Sequence, residues 1–202
     1  RLPDVEVTAG GRSARTEKGT GRAVIRGVPA GTQTVAIKPG TLPPFYAAGS
    51  PATVTLPLGQ GSEIQLPATL DIGDNVPNVY MAFGDSITRG DGAATAGGYP
   101  AQLQALLQAY LGDAQVNNRG ADATNSYEAL ERVDRNLAGS HPAFTLILYG
   151  TNDWHVIGCQ DNAPACKAVD NLRTVIQKVK ASRSLPFLAT LPPVNPALAP
   201  AS

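Results

Sequence analysis

The chain has 202 residues, 43% of them hydrophobic and 16% charged, enough apolar content for one sizeable core or two small ones. Sixteen basic residues balance sixteen acidic ones, so no net field selects nucleic acid, an anionic membrane or a polyacidic substrate. No apolar run approaches the roughly 20 residues that span a bilayer, and the sequence opens at Arg1 without a signal peptide, which points to a processed or engineered start.

From Val5 to Leu70 the sequence is a series of short β-like runs, "VEVTA", "RAVIRGV", "TQTVAI", "ATVTL" and "SEIQL", separated by "GG", "PAG", "KPG" and "LGQGS". Apolar residues alternate, as in Val5 and Val7 or Val35 and Ile37, so each strand has one buried and one wet face, which predicts a small antiparallel sandwich over residues 1–70. The combination "AVIRGVPAGTQTVAI" resembles the carboxypeptidase regulatory-like, prealbumin-type β-sandwich module. The turn-rich segment "PATLDIGDNVPN" then reads as a linker, assigned to residues 71–78, with the second domain covering 79–202.

After Val79 apolar runs alternate with segments whose apolar residues fall three and four apart, the mark of an α/β arrangement. "VYMAF" is a first strand; "YPAQLQALLQAYL" is a helix with Pro100 in its first turn and Leu103, Leu106, Leu107, Tyr110 and Leu111 on one face. "AQVNN" makes a second strand, and "SYEALERVDRNL" a helix with Leu130, Val133 and Leu137 inward. A third strand, "FTLILY", a helix, "CKAVDNLRTVIQKVK", and a fourth strand, "LPFLATL", complete the series. Short strands linked by helices predict parallel pairing with right-handed crossovers.

In such a sheet the residues just after successive strands meet at one edge. Three turns there carry polar or glycine signals: Gly84-Asp85-Ser86, "NNRGAD" with Gly120, and "YGTNDW" with Asn152. A serine hydroxyl, a glycine whose N–H can approach closely and a side-chain amide are the parts of acyl transfer. Ser86 Oγ would attack a carbonyl while the N–H groups of Ser86 and Gly120 and the Asn152 amide hold the oxyanion. Asp85 is expected to order its turn, and Asp153, Trp154 and His155 to line the pocket beside Asn152. Taken alone, Ser86 could equally be a helix-cap serine and Asn152 an Asx turn. The glycines of "GDSITRGDGAATAGG" lack the Lys-Ser/Thr ending of a phosphate loop, and Asp153, His155 and Asp161 lack the spacing of a metal site, so no metal and no cofactor is expected.

With these motifs in order, residues 79 to about 195 resemble the SGNH (GDSL) hydrolases, through "FGDSITRG" at Ser86, "NRGADATN" at Gly120, "YGTND" at Asn152 and "TLPPVNP" after the fourth strand. The resemblance implies a flavodoxin-like three-layer α/β/α parallel sheet and a serine esterase acting on small or carbohydrate-linked carboxylic esters. It also implies a D-x-x-H segment that supplies the base and its orienting carboxylate, and no D-x-x-H occurs in this sequence. The catalytic Asp and His are therefore expected beyond residue 202, together with a further strand and helix. The competing expectation is a noncatalytic binding or adhesion protein that keeps an esterase-like scaffold.

Of the two histidines, His141 precedes the third strand and belongs at the opposite edge of the sheet, about 16 to 20 Å away at ~3.3 Å per residue. His155 lies on the correct side but is assigned to the pocket wall. Cys159 and Cys166 bracket the short loop "QDNAPA", which predicts a local disulfide formed in an oxidising compartment and so a secreted or periplasmic protein.

Overall fold

The computed structural model describes residues 1–94, 96–155, 159 and 166–192. Their contacts divide into two compact units: Arg1–Asp71 with Gln104–Gln115, and Ile72–Leu103 with Val116–Ser202.

The first unit carries β1 (Glu6–Ala9), β2 (Arg12–Arg15), β3 (Gly31–Ile37), β4 (Tyr46–Ala48), β5 (Ala52–Leu56) and β6 (Ala68–Leu70). β1 and β2 form a tight hairpin through Gly10 and Gly11, both at positive φ, where a side chain would strain the backbone. Four strands pair antiparallel in the order β2-β1-β3-β5, and β4 pairs with β6 in a separate antiparallel ribbon. The alternation read from the sequence holds in part: Val5, Ala9 and Val35 are buried, whereas Val7 and Ile37 are half-buried. Two expected strands do not form. Residues 22–28 and 62–66 alternate half-buried and exposed side chains but carry no backbone ladder, and Arg22 instead pairs with Glu63 across solvent at 2.9 Å. Period-2 patterning reports which side of the chain faces the core, and ladder formation needs a partner edge in register as well. Conversely β6 lies within the turn-rich segment "PATLDIGDNVPN", just before the assigned linker 71–78.

The second unit contains β7 (Val76–Gly84), α1 (Ser86–Arg89), α2 (Gly98–Leu111, whose second half groups with the first unit), β8 (Gln115–Gly120), α3 (Ser126–Ser140), β9 (Pro142–Leu148), α4 (Ala168–Ala181) and β10 (Leu185–Leu188). The sheet order is β10-β9-β7-β8, with β9 parallel to both β7 and β10. The chain moves outward from β7 to β8, then returns to lay β9 on the other side of β7. This reversal is the switch point at which open α/β sheets place their ligands, outside the carboxyl ends of the strands.

One face of the sheet, Met81, Phe83, Ile147 and Tyr149, packs against Ala129, Val133 and Leu137 of α3 and Val175 and Val179 of α4, all buried. Leu130 is partly buried against the same cluster, so the inward face expected for this helix is the one observed. On the opposite face Tyr80 stacks on Phe144 at 4.8 Å, with Phe187 tilted 6.1 Å from the latter. Helix α3 starts where the sequence says it should: Asn125 accepts from the Tyr127 N–H at 2.9 Å while Glu128 accepts from the Asn125 N–H at 2.9 Å, a reciprocal capping box. The expected apolar face of α2 is less well buried. Leu106 and Tyr110 are exposed and Leu103, Leu107 and Leu111 only half-buried, whereas the helix start, Gly98 and Pro100, is buried.

Cys159 and Cys166 are joined in a disulfide across a sequence separation of 7. Closing a loop of that size restricts the unfolded chain, so the Cys159→Ser/Cys166→Ser double variant is expected to lose about 2 kcal/mol of stability. In the sheet core, Ile147→Val should cost about 1 kcal/mol and Ile147→Ala about 2–5 kcal/mol, since Ile147 is wholly buried and its neighbours on both helices cannot close the cavity. Urea unfolding, with midpoints shifted at constant slope, checks all three.

Candidate active site

Helix α1 begins at Ser86, directly after β7 ends. Asp85 is its N-cap: the backbone is extended (φ −90°, ψ −152°), and the carboxylate Oδ1 accepts the Ile87 N–H at 2.9 Å. Ser86 is thus the first helical residue, half-buried at the carboxyl end of β7, and its own carbonyl accepts from the Gly90 and Asp91 N–H groups. Gly90, at φ 107°, ends the helix after a single turn. Four residues are too few to show a helical period, so this turn of helix leaves no mark in the sequence pattern.

Two glycines let the neighbouring turns close in. A Cβ at Gly84 would overlap Thr88 Oγ1 and the Leu148 carbonyl, and one at Gly120 would overlap the backbone of Thr88 and Arg89. The ends of β7 and β8 are pinned by the Ala121 N–H donating to the Gly84 carbonyl at 3.1 Å. The ends of β7 and β9 are in register, Gly84 opposite Leu148. Ser86 therefore lies two residues past one strand end, and Asn152 four residues past the adjacent one.

Asn152 opens a 3-10 turn, Asn152–His155, and its Nδ2 donates to the Thr124 carbonyl at 2.9 Å, leaving the second amide hydrogen of that nitrogen to serve another acceptor. Gly120 is placed differently from the simple expectation. Its N–H donates to Asn118 Oδ1 at 2.9 Å, and Asn118 Nδ2 in turn donates to the Arg89 carbonyl at 3.2 Å. The glycine amide is thus engaged by a side chain two residues upstream, an Asx-type local bond that a sequence rich in asparagine, "VNNRG", signals but does not aim. Asn118, Thr124 and the α3 residue Arg132 are the site-bordering groups that the sequence reading passed over.

The remaining pocket residues separate into two kinds. Asp153 is buried, and its carboxylate accepts from the Ser126 N–H at 3.1 and 3.3 Å, supporting the first turn of α3, where the helix dipole favours a negative charge. Asn171 of α4 braces the same turn by donating to Ser126 Oγ at 2.9 Å. Trp154 is 57% exposed within the same turn. His155 closes the turn, and its side chain lies outside the described residues, as do Asp161 and the segment "PVNP". Tyr149 is core: buried, edge-on to Phe83 at 5.2 Å, with burial raising its phenol pKa. His141 caps the far end of α3 immediately before β9, at the opposite edge of the sheet from Ser86. Among the described residues no group of His, Cys, Asp and Glu could hold a metal ion, and no helix is long and apolar enough to cross a membrane.

Asp85 carries the electrostatic tension of the site. It is almost wholly buried, and its Oδ2 has no hydrogen-bond partner among the described residues. Burial raises its pKa from the ordinary 3.8, hydrogen bonds from the Ile87, Asp85 and Thr88 N–H groups oppose the rise, and the Asp153 charge adds to it. A carboxyl whose folded-state pKa lies above its unfolded value contributes stability that is present at low pH and lost as pH rises through the folded value. Asp85→Asn keeps an acceptor for the Ile87 N–H and removes the titration. Its urea midpoint relative to the parent should therefore rise as pH is taken from below about 4 to neutrality, and a pH-independent difference would show that Asp85 ionises normally.

Residues 82–202 match the model of the GDSL-like Lipase/Acylhydrolase family. No curated protein matches the sequence. Among solved structures, the chain is similar to AlinE4, an SGNH-hydrolase family esterase, at 23% identity and a TM-score of 0.48, over 59% of this chain and 62% of that one. It is similar to TesA at 28% identity and a TM-score of 0.47, over 55% and 58% of the two chains. A third similar structure is the psychrotrophic esterase EstA from Pseudoalteromonas sp., at 23% identity and a TM-score of 0.45, over 57% and 62%. The chain spans less than two thirds of the length of each. Since the family model matches more than half of the sequence, and the strand-end turns bring "GDS", "NRG" and "GTND" to one sheet edge, the chain belongs to the GDSL-like lipase/acylhydrolase family.

Proposed function

We propose that this chain carries the nucleophile and the oxyanion-binding turns of a carboxylic ester hydrolase. The observation that carries the reading is the position of Ser86, first residue of a capped single-turn helix at the end of β7, beside the turn that holds Asn152. Membership of an acylhydrolase family supports the reaction class.

In this reading Ser86 Oγ attacks the ester carbonyl and its proton passes to a base outside the described residues. The carbonyl oxygen, now negative, is held by the Ser86 N–H, the free amide hydrogen of Asn152 Nδ2 and the Gly120 N–H once Asn118 lets it go. Collapse expels the alcohol and leaves an acyl group on Ser86, which water then removes. Asp85 acts on this chemistry only by fixing the first turn of α1. The exposed Trp154 beside the site, with Tyr127 at the start of α3, suits the apolar face of an acyl group or of a sugar-linked ester.

We read residues 1–70 as an accessory β-sandwich of the carboxypeptidase regulatory-like kind that contributes no group to the chemistry, 71–78 as its linker and 79–202 as the hydrolase portion. The Cys159–Cys166 disulfide fits an enzyme working in a secreted or periplasmic setting.

The whole gene product should hydrolyse short-chain p-nitrophenyl esters and take up a fluorophosphonate label at Ser86. Ser86→Ala should abolish both with the circular dichroism spectrum unchanged, and turnover surviving in that variant overturns the assignment. Asn152→Ala should lower kcat by about 10²- to 10³-fold with a far smaller effect on KM, as expected for a donor that engages the transition state more strongly than the substrate.

A further inference from the structure

Helix α3 presents an apolar stripe of Ala129, Val133 and Leu137 to the sheet, and Arg132 sits on the margin of that stripe. A half-buried guanidinium at such a place needs a reason, since long cationic side chains normally carry their charge to solvent. Its contacts supply one. Nη2 donates to the Arg119 carbonyl at 2.7 Å. Nη1 donates to the Tyr149 hydroxyl, and lies 3.4 Å from both the Gly84 carbonyl and Thr124 Oγ1. The guanidinium carbon stands 5.3 Å from the centre of the Phe83 ring. Its partners are carbonyls, hydroxyls and a ring face; among the described residues none of them is a carboxylate.

These partners adjoin the groups assigned above in sequence or by a hydrogen bond. Gly84 lies two residues before Ser86, Arg119 is the residue before Gly120, and Thr124 offers the carbonyl that holds the Asn152 amide. The hydroxyls link the second and third turns directly. Tyr149, accepting from Arg132, faces Thr124 Oγ1 at 3.3 Å, and Thr124 donates on to the Ala121 carbonyl at 2.8 Å. Ala121 donates its N–H back to Gly84. The loop of bonds runs from β7 to β8 to the start of α3 to the end of β9, and the guanidinium lies at its centre.

We propose that Arg132 is a positioning residue for the oxyanion site: its planar fork fixes the spacing of the turns that carry Ser86, Gly120 and Asn152. Lysine could not replace it, because an ammonium is a point donor on a flexible stem, whereas the guanidinium offers several donors in fixed directions and a flat face for Phe83. Without the fork the strands and helices remain, held by the core described above, but the turns are free to move relative to one another. Displacements of about 1 Å in such turns cost roughly 10²-fold in rate while leaving ground-state binding nearly intact.

The proposal rests on the Ser86 esterase reading, and the experiment separates the two. The whole gene product and its Arg132→Lys, Arg132→Met and Val133→Ala variants are assayed with p-nitrophenyl butyrate well below their melting temperatures, and the parent is treated with a fluorophosphonate. Val133, wholly buried beside Arg132, controls for loss of stability alone. Both Arg132 variants should lose about 10²-fold in kcat with KM within about threefold of the parent. Val133→Ala should melt earlier yet keep kcat within about twofold, because it removes packing and no tie to the turns. Retention of kcat in Arg132→Met, a loss expressed in KM, or full activity in Arg132→Lys overturns the proposal while leaving the esterase reading in place. If Arg132→Met does not fold, Arg132→Lys decides by the same criteria. A parent protein that neither labels nor turns over overturns the esterase reading and this inference with it.

Discussion

The carboxyl edge of the second unit's sheet works only if three backbone turns can come within hydrogen-bonding distance of one another. Gly84 and Gly120 make that approach possible, because a methyl group at either would fall on the backbone or side chain of α1 or the end of β9. The Ala121 N–H to Gly84 carbonyl bond then closes the gap between β7 and β8, and strand register closes that between β7 and β9. Glycine is used here for close contact and not for a left-handed turn, since neither residue has positive φ. The same closeness gives the serine its place: with no room for a longer connection, the chain passes from strand to helix through Asp85 alone.

Behind this edge lies a core that is ordinary in composition but decisive in consequence. Met81, Phe83 and Ile147 are inaccessible to solvent and face α3 and α4, so the carboxyl ends of β7 and β9 are backed by close-packed side chains a few residues from Ser86 and Asn152. Several of the buried polar groups serve helix starts, while others pair within the sheet layer, as Thr145 does with Ser184 at 2.8 Å. Asp85 caps α1, and Asp153 and Asn171 brace the first turn of α3 through Ser126. Two carboxylates are thereby buried near one another, a cost tolerated because each satisfies N–H groups that would otherwise be unpaired. Among the described residues the Oδ2 of Asp85 remains unsatisfied.

The first unit is built on a different logic. Its strands are short, its sheets antiparallel and its core small, with Val5, Ala9 and Val35 at the centre. Order there comes from hydrogen bonds between distant stretches, such as the Thr16 hydroxyl accepting the Val5 N–H and donating to the Leu2 carbonyl. The candidates Ser86, Gly120 and Asn152 all belong to the second unit.

From sequence alone, the α/β character of residues beyond 79, the inward face of α3, the local disulfide and the position of Ser86 and Asn152 just past strand ends were all legible. Each of these is encoded locally: a 3.6-residue period, a short cysteine spacing, or polar residues directly after an apolar run. What lay beyond local reading was decided by tertiary contact. Residues 22–28 have a strand pattern yet no ladder, because pairing depends on an edge supplied from elsewhere. Leu106 and Tyr110 have a helical pattern yet remain exposed, because a stripe is buried only where another element meets it. The engagement of Gly120 by Asn118 and the reach of Arg132 to Gly84, Arg119, Thr124 and Tyr149 leave no periodic trace. An arginine on the margin of an apolar stripe reads like any solvated helix residue until the fold shows which carbonyls stand within its span.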